Sequence, residues 1–115
     1  MNLEQNQHNI EEKADHVTTS MLEWGSSVAT FDPPYDVILA ADVVYIEEVF
    51  AELSQTLEEL SDANTIIFLC CKHRYKREDT FFKMLVDSGK FTDSVIASWP
   101  VDIKLHKLRR TKFHL

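Results

Sequence analysis

Between Tyr35 and Ala41 the chain reads YDVILAA, an apolar, β-branched run without alternation, and that pattern marks a strand covered on both faces in a parallel sheet. From Glu47 to Leu60 the pattern changes period. Val49, Phe50, Leu53, Leu57 and Leu60 recur at helical spacing with Glu48, Glu52, Glu58 and Glu59 between them, predicting an amphipathic helix. Asp62-Ala63-Asn64 ends it, and Thr65 to Cys71 (TIIFLCC) is a second fully apolar run, hence a second buried strand. After a basic loop from Lys72 to Lys76, the segment Arg77 to Asp87 sets Phe81, Phe82, Leu85 and Val86 on one side, with Gly89 as the stop. Phe91–Trp99 and Val101–Leu108 flank Pro100 and predict an antiparallel strand pair at a sheet edge. Upstream, His16 to Glu23 predicts a short strand running into Trp24-Gly25 and a loop, and the polar residues 1–13 predict a short helix, so that residues 1–14 form a weakly ordered N-terminal helix. The order of elements is that of the later part of a mostly parallel α/β sheet closed by a terminal hairpin, a single domain over residues 1–115.

Composition changes this picture little, except in glycine. Only Gly25 and Gly89 occur among 115 residues, which leaves no glycine-rich loop to cradle a phosphate or a cofactor. The net charge of -7 conceals two unlike halves, -13 over residues 1–63 and +6 over residues 64–115. Such an asymmetry permits attraction between the halves or a basic patch for an acidic partner, and equally a solvated charged face. No apolar run approaches the ~20 residues of a membrane span, and MNLEQNQHNIEEK is polar where a signal peptide is apolar, so no membrane partner is expected and the expected location is cytoplasmic, with nuclear access left open. Cys70 and Cys71 are adjacent, which disfavours a bond between them, and as free thiols in an apolar run they suit a reducing compartment. His8, His16, His73, His106 and His114 show no ligand spacing and the cysteine pair is a poor zinc chelate, so no metal is expected.

Two short motifs compete for the chemistry. Asp32-Pro33-Pro34-Tyr35 spells a tetrapeptide used by enzymes that methylate amino groups of nucleic-acid bases, and Asp42-Val43-Val44-Tyr45 follows the strand at Tyr35–Ala41. Ligands of open α/β sheets sit beyond the carboxyl ends of the strands. Asp32 to Tyr35 precede the strand and read as the turn that starts it, so no nucleic-acid partner is expected. Asp42 and Tyr45 fall at the ligand end, where a carboxylate and a phenol can orient an amine and accept its proton. Each also has a plainer role: Asp42 as a cap of the following helix, Tyr45 as packing, Trp24 as a core aromatic.

Taken together, LEWG (Leu22–Gly25), YDVILAADVVY (Tyr35–Tyr45), EEVFAELSQTLEEL, TIIFLCCKHRY and DIKLHKLRR resemble the seven-β-strand, S-adenosylmethionine-dependent protein lysine methyltransferases of the methyltransferase-like family 16, over residues 15–110. The likeness is strongest to the methyltransferase-like 21 branch, which methylates lysines of chaperones and translation elongation factors. It implies a Rossmann-like sheet, S-adenosylmethionine as cofactor and a protein substrate. It also implies that Trp24 packs on the cofactor adenine, that the Ala41 backbone lines the same pocket, and that Asp42 and Tyr45 hold the substrate lysine. The family's first two strands, with their glycine-rich turn and ribose-binding acid, have no counterpart, so the chain is expected to represent the C-terminal part of that domain and to be inactive alone. The alternative expectation is a non-catalytic interaction module that uses the hairpin and the basic segment Lys72-His73-Arg74-Tyr75-Lys76-Arg77.

Overall fold

The computed structural model describes residues 17–111; the expected helix over 1–14 lies outside them. Four strands and two helices follow in the order β1 (Val37–Ala41), α1 (Phe50–Glu59), β2 (Ile66–Lys72), α2 (Lys76–Asp87), β3 (Phe91–Trp99) and β4 (Ile103–Arg110). They form one mixed sheet of order β1-β2-β4-β3. β1 and β2 are parallel, joined through α1, while β4 lies antiparallel between β2 and β3. This is the α/β architecture with a terminal antiparallel hairpin that the sequence predicts.

Both helices cover the same face of the sheet. Phe50, Leu53 and Leu57 of α1 and Phe81, Phe82 and Leu85 of α2 close over Ile67, Leu69 and Cys71 of β2, with Phe91 and Leu108 from the hairpin. Ile67, Leu69, Phe81, Leu85 and Leu108 are fully buried, so the alternate residues of β2 that face the helices form the floor of the core. Local chemistry sets the ends of these elements. Asp62 Oδ1 accepts the Asn64 amide at 2.8 Å, and the Thr65 hydroxyl accepts the Asp62 amide at 3.0 Å, fixing the turn from α1 into β2. Gly89, at φ 76, ends α2 in the left-handed conformation that glycine adopts without steric cost.

Four sequence expectations need correction. Residues 17–23 form no strand. A strand persists only where its backbone groups find a ladder partner, and no strand of the sheet pairs with this segment. β1 begins at Val37 rather than Tyr35, because the Tyr35 amide turns aside to the Leu60 carbonyl at 3.1 Å. It is also not covered on both faces: β1 is an edge strand, Val37 and Leu39 are 51% and 78% exposed, and only Ile38 and Ala40 pack toward the core. The predicted helix over 47–60 opens with a 3-10 turn at Glu47–Val49 and is α-helical from Phe50. Among the described residues no helix is long and apolar enough to cross a membrane.

The two oppositely charged halves do meet. Glu58 of α1 receives Lys90 at 3.1 Å, and the Arg110 guanidinium lies 3.8 Å from its carboxylate while donating to the Glu58 and Ser61 carbonyls at 2.9 and 3.1 Å.

Candidate functional site

β1 ends where its ladder does. Asp42 stands directly after it at φ 57, its amide donating to the Cys70 carbonyl at 3.1 Å. Aspartate tolerates this left-handed geometry better than most residues, and here it swings the chain across the carboxyl ends of β1 and β2. Val44 is buried and pins the loop; Tyr45 is 55% exposed beside it. The result is a cleft of about 240 Å³. Asp42 and Tyr45 form one wall, Cys71 and Lys72 of β2 the floor, and Arg74, Arg77 and Glu78 the opposite side.

The plainer roles of these residues can now be set aside or kept. Asp42 caps no helix, because Ile46 precedes the 3-10 turn and Val49 precedes α1. Tyr45, more than half exposed, is not core packing. Trp24 is partly buried against the main core and is not part of the cleft. Its neighbour Gly25 donates its amide to the Thr56 hydroxyl at 2.8 Å, and at φ 85 a Cβ there would meet Glu52 Cγ at 3.0 Å, so the Trp-Gly turn is clamped to α1. Ala41 lies along a separate groove of about 250 Å³ with Leu39, Phe68, Cys70 and Leu105, on the sheet face that the helices leave bare. The structure thus places Asp42 and Tyr45 in one cleft, while Ala41 lines a separate groove and Trp24 packs against the core. Asp32 to Tyr35 lie at the amino end of β1, where Tyr35 lines an apolar groove with Leu22, Phe31 and Leu60.

Sequence reasoning did not single out Lys72, Arg74, Arg77 and Glu78 as parts of the cleft, although all but Glu78 fall within the basic segment. Glu78 is buried, accepts the Tyr75 amide at 3.3 Å and stands 3.9 Å from Arg77 Nε. Arg77 Nε is buried without a hydrogen-bond partner among the described residues. Its guanidinium lies over the Tyr75 ring at 4.8 Å. Burial pushes the Cys71 thiol up to about 12, with Glu78, Cys70, Asp42 and Asp93 adding repulsion. A thiol held protonated at neutral pH is no nucleophile, so Cys71 serves the cleft as floor.

Whether these residues suit S-adenosylmethionine can be tested on the glycines. A cofactor cradle needs a backbone bare of side chains. The Cβ position of Gly25 is filled by Glu52, and Gly89 sits at the far end of α2. Among the described residues neither glycine therefore offers a cradle for the cofactor's methionine part.

A parallel β-α-β unit with a carboxylate and a phenol beyond its carboxyl end places both side chains where open α/β sheets bind their ligands. The family model described as "Lysine methyltransferase" matches residues 1–88, and the chain belongs to that family, in its methyltransferase-like 21 branch. Among its relatives, Protein N-lysine methyltransferase METTL21A of Mus musculus is 38% identical over 91 residues, covering 77% of this chain and 41% of the relative. The Danio rerio protein of the same name is 44% identical over 70 residues, 60% of this chain and 32% of the relative. EEF1A lysine methyltransferase 3 of Xenopus tropicalis is 31% identical over 90 residues, 77% and 40% of the two chains. The chain spans about two fifths or less of the length of these curated relatives.

Proposed function

We propose that this chain carries the substrate-lysine side of a protein lysine N-methyltransferase that uses S-adenosylmethionine, and that it turns over only when the cofactor-binding strands are supplied with it. The observation that carries this reading is the shared cleft of Asp42 and Tyr45 at the carboxyl ends of parallel strands. A carboxylate beside a buried amine favours its charged form, which opposes nucleophilicity. Asp42 therefore acts by holding the amine in line and taking its proton late, and Tyr45 fixes the second hydrogen-bond direction. Lys72, Arg74 and Arg77 around the same cleft disfavour a lysine in a basic context and favour one flanked by acidic residues. A chaperone or a translation elongation factor is the substrate class that the branch suggests, reached in the cytoplasm, with nuclear access left open.

The test is methyl transfer from labelled S-adenosylmethionine, with this chain and with a chimera that adds the N-terminal portion of the Mus musculus relative. The chimera is expected to methylate lysine and the chain alone to be silent. In the chimera Asp42→Asn, which keeps a residue tolerant of left-handed backbone, is expected to lower turnover about 100-fold or more, and Tyr45→Phe about tenfold. Turnover unchanged by Asp42→Asn rejects the assignment. A second reading, an inert interaction module, is favoured by the lack of a cofactor cradle among the described residues. It predicts that the chain alone captures a chaperone or elongation factor without cofactor, and that charge reversal at Arg74 and Lys76 abolishes capture.

A further inference from the structure

Beneath α2 four side chains form a line. His73 Nδ1 lies 2.9 Å from Asp79 Oδ1, His73 Nε2 lies 2.9 Å from His106 Nε2, and His106 Nδ1 lies 2.8 Å from Asp93 Oδ1. The Cys71 sulfur joins them: it and one ring nitrogen of each histidine all lie within 4.8 Å of one another. The line is built from four elements. Cys71 belongs to β2 and His73 follows it on the same side, His106 comes from β4, Asp93 from β3 and Asp79 from α2. Phe82 stacks parallel on His106 at 3.5 Å between ring centres, and the two histidine side chains are only 8% and 3% exposed.

Proton arithmetic makes this arrangement unusual for a structural histidine pair. An ionised carboxylate only accepts hydrogen bonds, so each Nδ1 must carry the proton it donates. Each Nε2 of a neutral ring then presents a lone pair, and the two lone pairs face each other at 2.9 Å. A metal ion between the two rings would take both lone pairs. A carboxylate on Nδ1 with Nε2 turned toward a common point is also how metal-binding histidines are oriented and made more basic.

We propose that Cys71, His73 and His106 form a binding site for a thiophilic divalent metal ion, with zinc as the occupant, and that Asp79 and Asp93 orient the two rings from behind. A tetrahedral ion with bonds of about 2.0–2.1 Å to nitrogen and 2.3 Å to sulfur spaces its ligand atoms about 3.4–3.6 Å apart, so the rings separate slightly and the sulfur closes in. Binding of the ion releases the Cys71 thiol proton to solvent as the sulfur becomes a thiolate ligand. Both histidines border a cleft of about 370 Å³ with Asp79, Asp87, Asp93, Lys83 and Lys104, which gives an ion a path to them. The site is independent of the methyl-transfer reading.

The deciding experiment titrates the chelator-treated 115-residue chain with Co2+ and then Zn2+. Expected are one equivalent of metal, a near-ultraviolet thiolate-to-cobalt charge-transfer band, tetrahedral ligand-field bands, and displacement of all of these by zinc. Cys71→Ser removes the charge-transfer band, and Cys70→Ser leaves it. Asp79 is 71% exposed, so Asp79→Asn tests the site without touching the core and is expected to weaken zinc binding about tenfold. His73→Gln weakens it further, and these two variants decide the matter if His106→Gln fails to fold. Substoichiometric binding, a charge-transfer band that survives Cys71→Ser, or wild-type affinity in both Asp79→Asn and His73→Gln overturns the proposal.

Discussion

The two adjacent cysteines show how one step along a strand decides a residue's chemistry. Cys71 points into the core and Cys70 to the bare face, where it borders the groove of Leu39 and Leu105. In chelator-containing buffer at pH 8, alkylation of the native chain is expected to label Cys70 first, with Cys71 reacting only as the chain opens; mass spectrometry of timed samples checks this. The raised thiol also sets the sign of a pH effect. Its folded value exceeds its unfolded one, so at alkaline pH the folded chain holds a proton that the unfolded chain has lost, and stability falls as pH rises from about 9 toward about 12. Urea unfolding across that window is expected to show a smaller fall in Cys71→Ser than in the native chain. At this scale the place of Asp42 and Tyr45 just beyond β1 was legible, because the end of an apolar run tells where a strand stops. The Cys71–His73–His106 cluster was not. His106 sits opposite Leu69 in the ladder, and a pairing register across 37 residues leaves no trace in local spacing.

The elements were legible where their period was unbroken. α1, α2, β2 and the hairpin appear close to the predicted bounds, since helical stripes and long apolar runs dominate their segments. The segment before Trp24 failed because a strand is defined by its neighbours as much as by its own residues. One local conflict remains inside the hairpin. Val101 and Asp102 both adopt left-handed backbone, φ 60 and φ 62, to bring Trp99 opposite Ile103. A β-branched residue pays sterically for that conformation, and Val101 is 66% exposed, so its side chain returns little by packing. Val101→Asn is expected to stabilise the chain by about 1 kcal/mol in urea or thermal unfolding; an equal or lower stability contradicts the turn geometry.

At the scale of the whole molecule, the described residues cover one face of the sheet with helices and leave the other bare. The sequence suggested cover on both faces of β1, since apolar runs carry no mark of which neighbour supplies the cover. Two substitutions expose the contrast. Leu69→Ala, in the floor of the core, is expected to cost about 2–5 kcal/mol. Leu39→Lys, at a position 78% exposed, is expected to change stability by no more than about 0.5 kcal/mol while lowering self-association in sedimentation. A large loss at Leu39 would show that the bare face is covered in solution. The order of strands carries a last consequence. Among the described residues β4 follows β3 in the chain yet lies inside the sheet, between β2 and β3. On the ribosome, β2 and β3 therefore emerge with a vacancy between them that closes only when Arg110 leaves the exit tunnel. A premature stop within Ile103–Arg110 removes the middle of the sheet rather than trimming its rim, and the released product would be one that proteolytic quality control clears.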